Sequence, residues 1–156
     1  MERSPRPSRR RPELSPAARA LRLLARRDHT RAELGRKLAE HVADAAELEA
    51  LLEDFSARGW LSETRVVEQV VHAKRSRFGA ARIRQALVER GVPEELIGPA
   101  LKRLKESELD AARRVWSRKF RAPAATPAER ARHVRFLQSR GFSVDIAMRV
   151  VGGDDP

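Results

Sequence analysis

The chain has 156 residues and a formal net charge of +11, with 35% charged and 41% hydrophobic residues, five Phe, two Trp, no Tyr and no Cys. Without Cys there is no disulfide framework, thiolate metal site or thiol nucleophile. No run approaches the roughly eighteen apolar residues of a membrane span. The polar start Met1-Glu2-Arg3-Ser4 lacks the apolar segment of a secretory signal, so a cytoplasmic protein is expected. Ala, Leu, Arg and Glu favour helix while Thr and Ile are scarce, which points to an all-α fold of thin helical layers.

In chain order, residues 1–13 interleave Pro5, Pro7 and Pro12 with Arg3, Arg6, Arg9, Arg10 and Arg11. Proline blocks a helix and little apolar surface offsets ordering, so a disordered basic arm is expected. Ser15-Pro16 is an N-cap followed by proline at the first helical position and opens a helix over 15–27. Thr30 with Glu33, and Asp44 with Glu47, have capping-box spacing and open helices over 31–42 and 45–58. In the latter, Leu48, Leu51, Leu52 and Phe55 follow the helical period. Ser62 caps a helix over 63–77, and Ile83 and Leu87 mark another over 80–90. Ile97, Ala100, Leu101 and Leu104 mark a sixth over 93–105, and Ser107 is read as the cap of a seventh over 108–120. Thr126-Pro127-Ala128-Glu129 combines cap, proline and acid to open 127–140, and Ser143 opens 144–151. The stops Arg58-Gly59-Trp60, Arg90-Gly91-Val92 and Arg140-Gly141-Phe142 repeat one pattern of arginine, left-handed glycine and apolar residue. Nine helices are expected.

An offset of fifty residues lays Leu87 on Leu137, Arg90 on Arg140, Gly91 on Gly141 and Leu96 on Ile146; a slightly shorter one lays Leu38 on Leu87. Three helices per unit and three units in series predict a short, elongated solenoid. The expected units are 15–60, 61–106 and 107–151, followed by a tail over 152–156. The first unit is irregular, because His41-Val42 stands where the later units have Arg-Gly.

Catalytic readings find no support. His29, His41, His72 and His133 show no zinc-binding spacing. Glu94-Glu95 suits a helix N-terminus, and Gly152-Gly153 precedes only acids and proline. No nucleophile-elbow or phosphate-loop sequence occurs, so no catalytic, metal or cofactor residue is assigned. Basic surface remains. Lys74, Arg75, Arg77, Arg82 and Arg84 fall in a stretch without acids, and Arg113, Arg114, Arg118, Lys119 and Arg121 surround Trp116 and Phe120. Cation stripes of this kind attract nucleic acid phosphates or acidic proteins, and a solvated helix face is the plain alternative. Trp116 and Phe120, four apart, are read as core.

Several stretches resemble one family. Ala20-Leu21-Arg22-Leu23-Leu24-Ala25-Arg26-Arg27 with Thr30 to Leu34 and Lys37-Leu38 is similar to the start of RecX regulatory proteins. Phe78-Gly79, Arg82-Ile83-Arg84-Gln85, Leu87 and Gly91-Val92 resemble that family's middle repeat. Arg132 to Leu137, Arg140-Gly141-Phe142-Ser143 and Asp145-Ile146 resemble its closing unit. Val66-Val67 departs from it, standing where the family commonly has Phe-Ala. The resemblance implies three tandem three-helix units and a monomeric, non-catalytic regulator that lies in the groove of the RecA filament on single-stranded DNA. There it would restrain strand exchange and the co-protease activity behind the SOS response, with possible contact to the DNA backbone. The family brings no catalytic residues, so the candidate contacts are the surface cations Lys74, Arg75, Arg77, Arg82, Arg84, Arg90, Arg113, Arg114, Arg118 and Lys119. The basic runs alone fit equally a helical DNA-binding protein that acts without RecA.

Overall fold

The computed structural model describes residues 11–153. Most of the expected basic arm, residues 1–10, and the end of the tail, residues 154–156, lie outside the described residues. Among the described residues the chain is all helical: α1 Pro16–Arg26, α2 Arg31–Leu38, α3 Ala45–Ala57, α4 Glu63–Lys74, α5 Ala80–Glu89, α6 Glu94–Lys119, α7 Pro127–Ser139 and α8 Val144–Gly152. A short 3-10 turn, Ala39–His41, follows α2.

The helix starts follow the side-chain caps. Ser15, Thr30, Asp44, Ser62, Thr126 and Ser143 each accept an N–H from the first turn of the helix they open. At the other ends, Gly91 and Gly141 take φ of +76° and +91°. Val92 and Phe142 then donate N–H back to Leu87 and Leu137 at 3.1 and 3.2 Å, the bond that closes a Schellman turn. In the first unit α2, lacking this glycine, ends in the 3-10 turn instead.

Eight α-helices stand where nine were expected. The expected helices 93–105 and 108–120 are one helix of 26 residues, α6. Ser107 does not cap; its hydroxyl donates to the Leu104 carbonyl one turn back at 3.3 Å. The cause is local. Residues 101–112 contain neither Gly nor Pro and are rich in Leu, Lys, Glu and Ala, so a start signal with no preceding stop leaves the helix running.

Three buried clusters carry the fold. The first gathers Ala20, Leu34, Leu38, Leu52, Phe55 and Leu61. The second holds Val66, Val67, Val70, Ile83, Leu87, Val92, Ile97, Ala100 and Leu104, and the third Ala111, Ala112, Val115, Leu137, Phe142, Ala147, Val150 and Val151. Leu38, Leu87 and Leu137, equated by the repeat, are all fully buried. Thus α6 contributes its first half to the second cluster and its second half to the third.

The middle helices α2, α5 and α7 meet end to end. The C-terminal turn of α5 abuts the N-terminus of α2, where Thr30 Oγ1 donates to the Arg90 carbonyl. In the same way the C-terminal turn of α7 abuts the N-terminus of α5, where Gly79 N–H donates to the Arg140 carbonyl at 2.8 Å and Ala81 N–H to Gly141 at 3.2 Å. Gly79 has no side chain to cap α5, and the Arg140 and Gly141 carbonyls, with Glu108 Oε1 on the Ala80 N–H at 3.1 Å, supply the acceptors.

Candidate functional site

At this second junction the structure gathers cations from both basic runs. A cleft of about 240 Å³ is lined by Arg77, Val115, Arg118, Lys119, Phe136 and Arg140, with no carboxylate among them. Arg77 follows α4, Arg118 and Lys119 end α6, and Arg140 caps α7. Placing lysine and arginine in a helix's last turn suits the negative end of its dipole. Two rings help hold the cations together. Lys74 and the guanidiniums of Arg82 and Arg140 lie 5.2, 5.0 and 5.7 Å from the Phe78 ring centre. Arg140 and Lys119 lie 5.4 and 5.7 Å from Phe136. The electron-rich ring faces partly offset the repulsion of like charges.

Of the expected contacts, Arg77, Arg118 and Lys119 thus share one cleft, with Lys74 and Arg82 beside it around Phe78. Arg82 also donates to the Ser139 carbonyl at 2.9 Å. The others lie elsewhere. Arg75 lines a mixed-charge groove with Glu68, Arg103 and Glu106. Arg84 is exposed and paired with Glu94. Arg113 and Arg114 line a separate groove with Arg149, and Arg113 also reaches Asp110 at 3.6 Å.

Arg90 turns inward, its Nε 2.9 Å from Glu33 Oε1 and its Nη2 2.9 Å from the Asp28 carbonyl. Burial alone would raise the Glu33 pKa. Hydrogen bonds from Arg90, the Thr30 N–H and Arg27 instead lower it from 4.5 to about 2. Arg140, missed as a contact in the sequence, had one legible signal: it is the repeat equivalent of Arg90 and occupies the same position before glycine.

The aromatic end of α6 is anchored rather than free to stack on bases. Trp116 Nε1 donates to His133 Nδ1 at 3.1 Å, and Phe120 stacks on the same ring with centroids 3.6 Å apart. Burial, assisted by the nearby Arg132 charge, lowers the His133 pKa. The imidazole stays neutral and keeps the lone pair Trp116 needs.

Residues 18–55, 62–101 and 106–151 match the models of the first, second and third three-helix domains of RecX. The chain belongs to the RecX family. It is 52% identical over 141 residues to the regulatory protein RecX of Leptothrix cholodnii, covering 90% of each chain. It is 46% identical over 142 residues to that of Ralstonia nicotianae, covering 91% of this chain and 89% of the other. The crystal structure of RecX from Lactobacillus salivarius superposes with a TM-score of 0.79 at 15% identity, over 88% of this chain and 93% of that one. That structural likeness shows the shared RecX fold. The third RecX domain model spans the second half of α6, so the helix crosses from one domain into the next. Among the described residues, no helix is long and apolar enough to cross a membrane.

Proposed function

We propose that this RecX-family chain is a non-catalytic cytoplasmic regulator that binds RecA filaments on single-stranded DNA as a monomer and restrains them during DNA repair and the SOS response. Membership of a family of regulatory proteins supports the reading at the level of the whole chain. The observation that carries it here is the cleft, in which Arg77, Arg118, Lys119 and Arg140 converge without a carboxylate. A filament of protein on DNA is a dense polyanion, and such a cleft draws it in and speeds encounter. Arg82 beside Phe78 extends the face, while Arg90, engaged with Glu33, is left out of it.

The test is RecA's single-strand-stimulated ATPase, titrated with the full chain. Inhibition is expected well below the amount of protein that coats the DNA, and is expected to persist when RecA saturates the strand. R77E/R118E/K119E is expected to raise the half-inhibitory concentration at least about tenfold, or about 1.4 kcal/mol, with the helical circular-dichroism signal intact. Inhibition that needs DNA-coating amounts, or that vanishes on RecA-saturated DNA, would make the chain a DNA-binding protein acting without RecA.

A further inference from the structure

A second cationic surface lies at the other end of the chain, on the first cluster of helices. The groove between α1 and α2, about 360 Å³ in volume, is lined by Arg19, Arg22 and Arg26 from α1 and by Lys37 from α2, with no acidic residue in its walls. None of these residues was among the sequence-derived contacts, whose basic runs begin at Lys74.

Their arrangement is regular. Arg19, Arg22 and Arg26 stand at i, i+3 and i+7, so they share one helix face. They span about 10 Å along the axis at 1.5 Å per residue. Guanidiniums set along one face in this way can reach neighbouring phosphates of one strand. Among the described residues none of the three arginines carries an ion pair. Arg27, Arg31, Arg58, Arg65, Arg84 and Arg90 meet carboxylates, so the α1 row shares its unpaired state with the cleft's Arg77, Arg118 and Arg140.

Lys37 is held in place from behind. His29 is buried, and that burial, first among several causes, lowers its pKa. The neutral ring uses Nδ1–H on the Arg27 carbonyl at 3.0 Å and offers Nε2 to Lys37 Nζ at 3.1 Å. The ammonium therefore faces the arginine row as an ordered donor with further N–H bonds to give. Leu14 lines the same groove, and the sequence just before it carries Arg3, Arg6, Arg9, Arg10 and Arg11.

We infer that the α1–α2 groove, through Arg19, Arg22, Arg26 and Lys37, is a second site that binds the sugar-phosphate backbone of a nucleic acid strand, independently of the cleft. The chemistry favours this occupant over an acidic protein. Protein partners are gripped by aromatic or other large apolar anchors; this groove has no Phe, Tyr or Trp, its Leu38 is fully buried, and Leu14 and Leu23 are partly covered. Guanidinium forks match phosphate oxygens directly. With His41 as the one ring among the lining residues, the contacts go mainly to phosphate, so binding depends weakly on sequence and strongly on salt.

The experiment measures fluorescence anisotropy of a labelled single-stranded oligodeoxynucleotide with the full chain and no RecA, over a series of KCl concentrations. Absence of RecA separates failure here from failure of the filament reading. R19Q/R22Q/R26Q is expected to lower the slope of log K against log salt by about 2, at roughly 0.7 per lost phosphate contact on a single strand. R19K/R22K/R26K, which keeps charge and helix propensity, is expected to retain the wild-type slope. Inorganic phosphate is expected not to displace the strand at matched ionic strength. An unchanged slope in the glutamine variant overturns the inference, as does an equal loss in the lysine variant. Displacement by inorganic phosphate would reduce the groove to a free-anion site. Equally tight, arginine-dependent binding of polyglutamate would assign it to an acidic protein. Either result also overturns it.

Discussion

At the junction of α2 and α5 the carbonyl of Arg90 is taken by the hydroxyl of Thr30, whereas at the junction of α5 and α7 the carbonyl of Arg140 is taken by the backbone N–H of Gly79. Thr30 and Gly79 occupy the same place, the N-cap of a middle helix, and Arg90 and Arg140 both precede a left-handed glycine. Yet the two joints are completed differently. The first surrounds the shared carbonyl with side chains: Glu33 between Arg27 and Arg90, Asp28 with Arg65 and Gln69, and Glu63 on the Arg31 N–H. The second has two backbones in contact and is spanned by α6. A Cβ on Gly79 would lie 2.5 Å from the Gly141 carbonyl, and one on Gly141 would lie 2.6 Å from Arg82 N. One geometry is thus held in one place by charge, with Gly91 close against the Ala32 side chain, and in the other by backbone against backbone. The first joint should respond to pH, whereas added volume strains both and at the second meets backbone.

The sharpest way to break the contrast is Gly141→Ala. The methyl group meets the α5 backbone and the residue must hold φ of +91°. A loss of about 4 kcal/mol is expected in urea unfolding, with early loss of hydrogen-exchange protection at Gly79 and Ala81. Next comes Arg90→Ala, which leaves the buried Glu33 carboxylate with only Arg27 and the cap N–H. About 3 kcal/mol is expected, and a measured cost below 1 kcal/mol would mean that the first joint does not depend on charge.

Acid titration tests the same joint from the proton side. Glu33 has a folded pKa of about 2 against 4.5 for the free group, so the folded state holds fewer protons between these values. Its stabilisation is complete above pH 4.5 and fades as pH falls toward 2. It amounts to at most about 3 kcal/mol. Glu33→Gln is expected to flatten stability over that window, while Gly141→Ala leaves the profile's shape unchanged. The smallest effect is expected from Arg65→Ala. Its pair with Asp28 is 3.2 Å long, but the Arg65 side chain is 44% exposed, and about 0.5 kcal/mol is expected from thermal unfolding.

Much of this architecture is legible in the chain, because caps and glycine stops act over a few residues. Thr30 with Glu33, Thr126 with Glu129 and the three Arg-Gly stops each state a local hydrogen-bond requirement, and the structure meets each of them. Ser107 misled because a serine can return its hydroxyl to the preceding turn as readily as open a new helix. The joints were illegible for a different reason. Glu33 and Arg90 are 57 residues apart, and Gly79 reads as a simple break until the chain that approaches it is known. The candidate cleft was half legible: Arg77, Arg118 and Lys119 stand in visible basic runs, but Arg140 was hidden by its role in ending a helix. The α1 arginines escaped notice because a helix that alternates Arg with Ala and Leu looks like an ordinary amphipathic face.

Since α6 belongs to two clusters at once, the orientation of the last third of the chain is fixed by a residue count. Each residue of an α-helix turns its successor by about 100°. One residue inserted or removed between Lys105 and Asp110 would leave both buried stripes chemically unchanged but facing different directions. The Gly79–Gly141 contact could then no longer form, and Arg118 and Lys119 would swing out of reach of Arg77. In this helix length behaves as a phase, and the basic cleft exists only while that phase is kept.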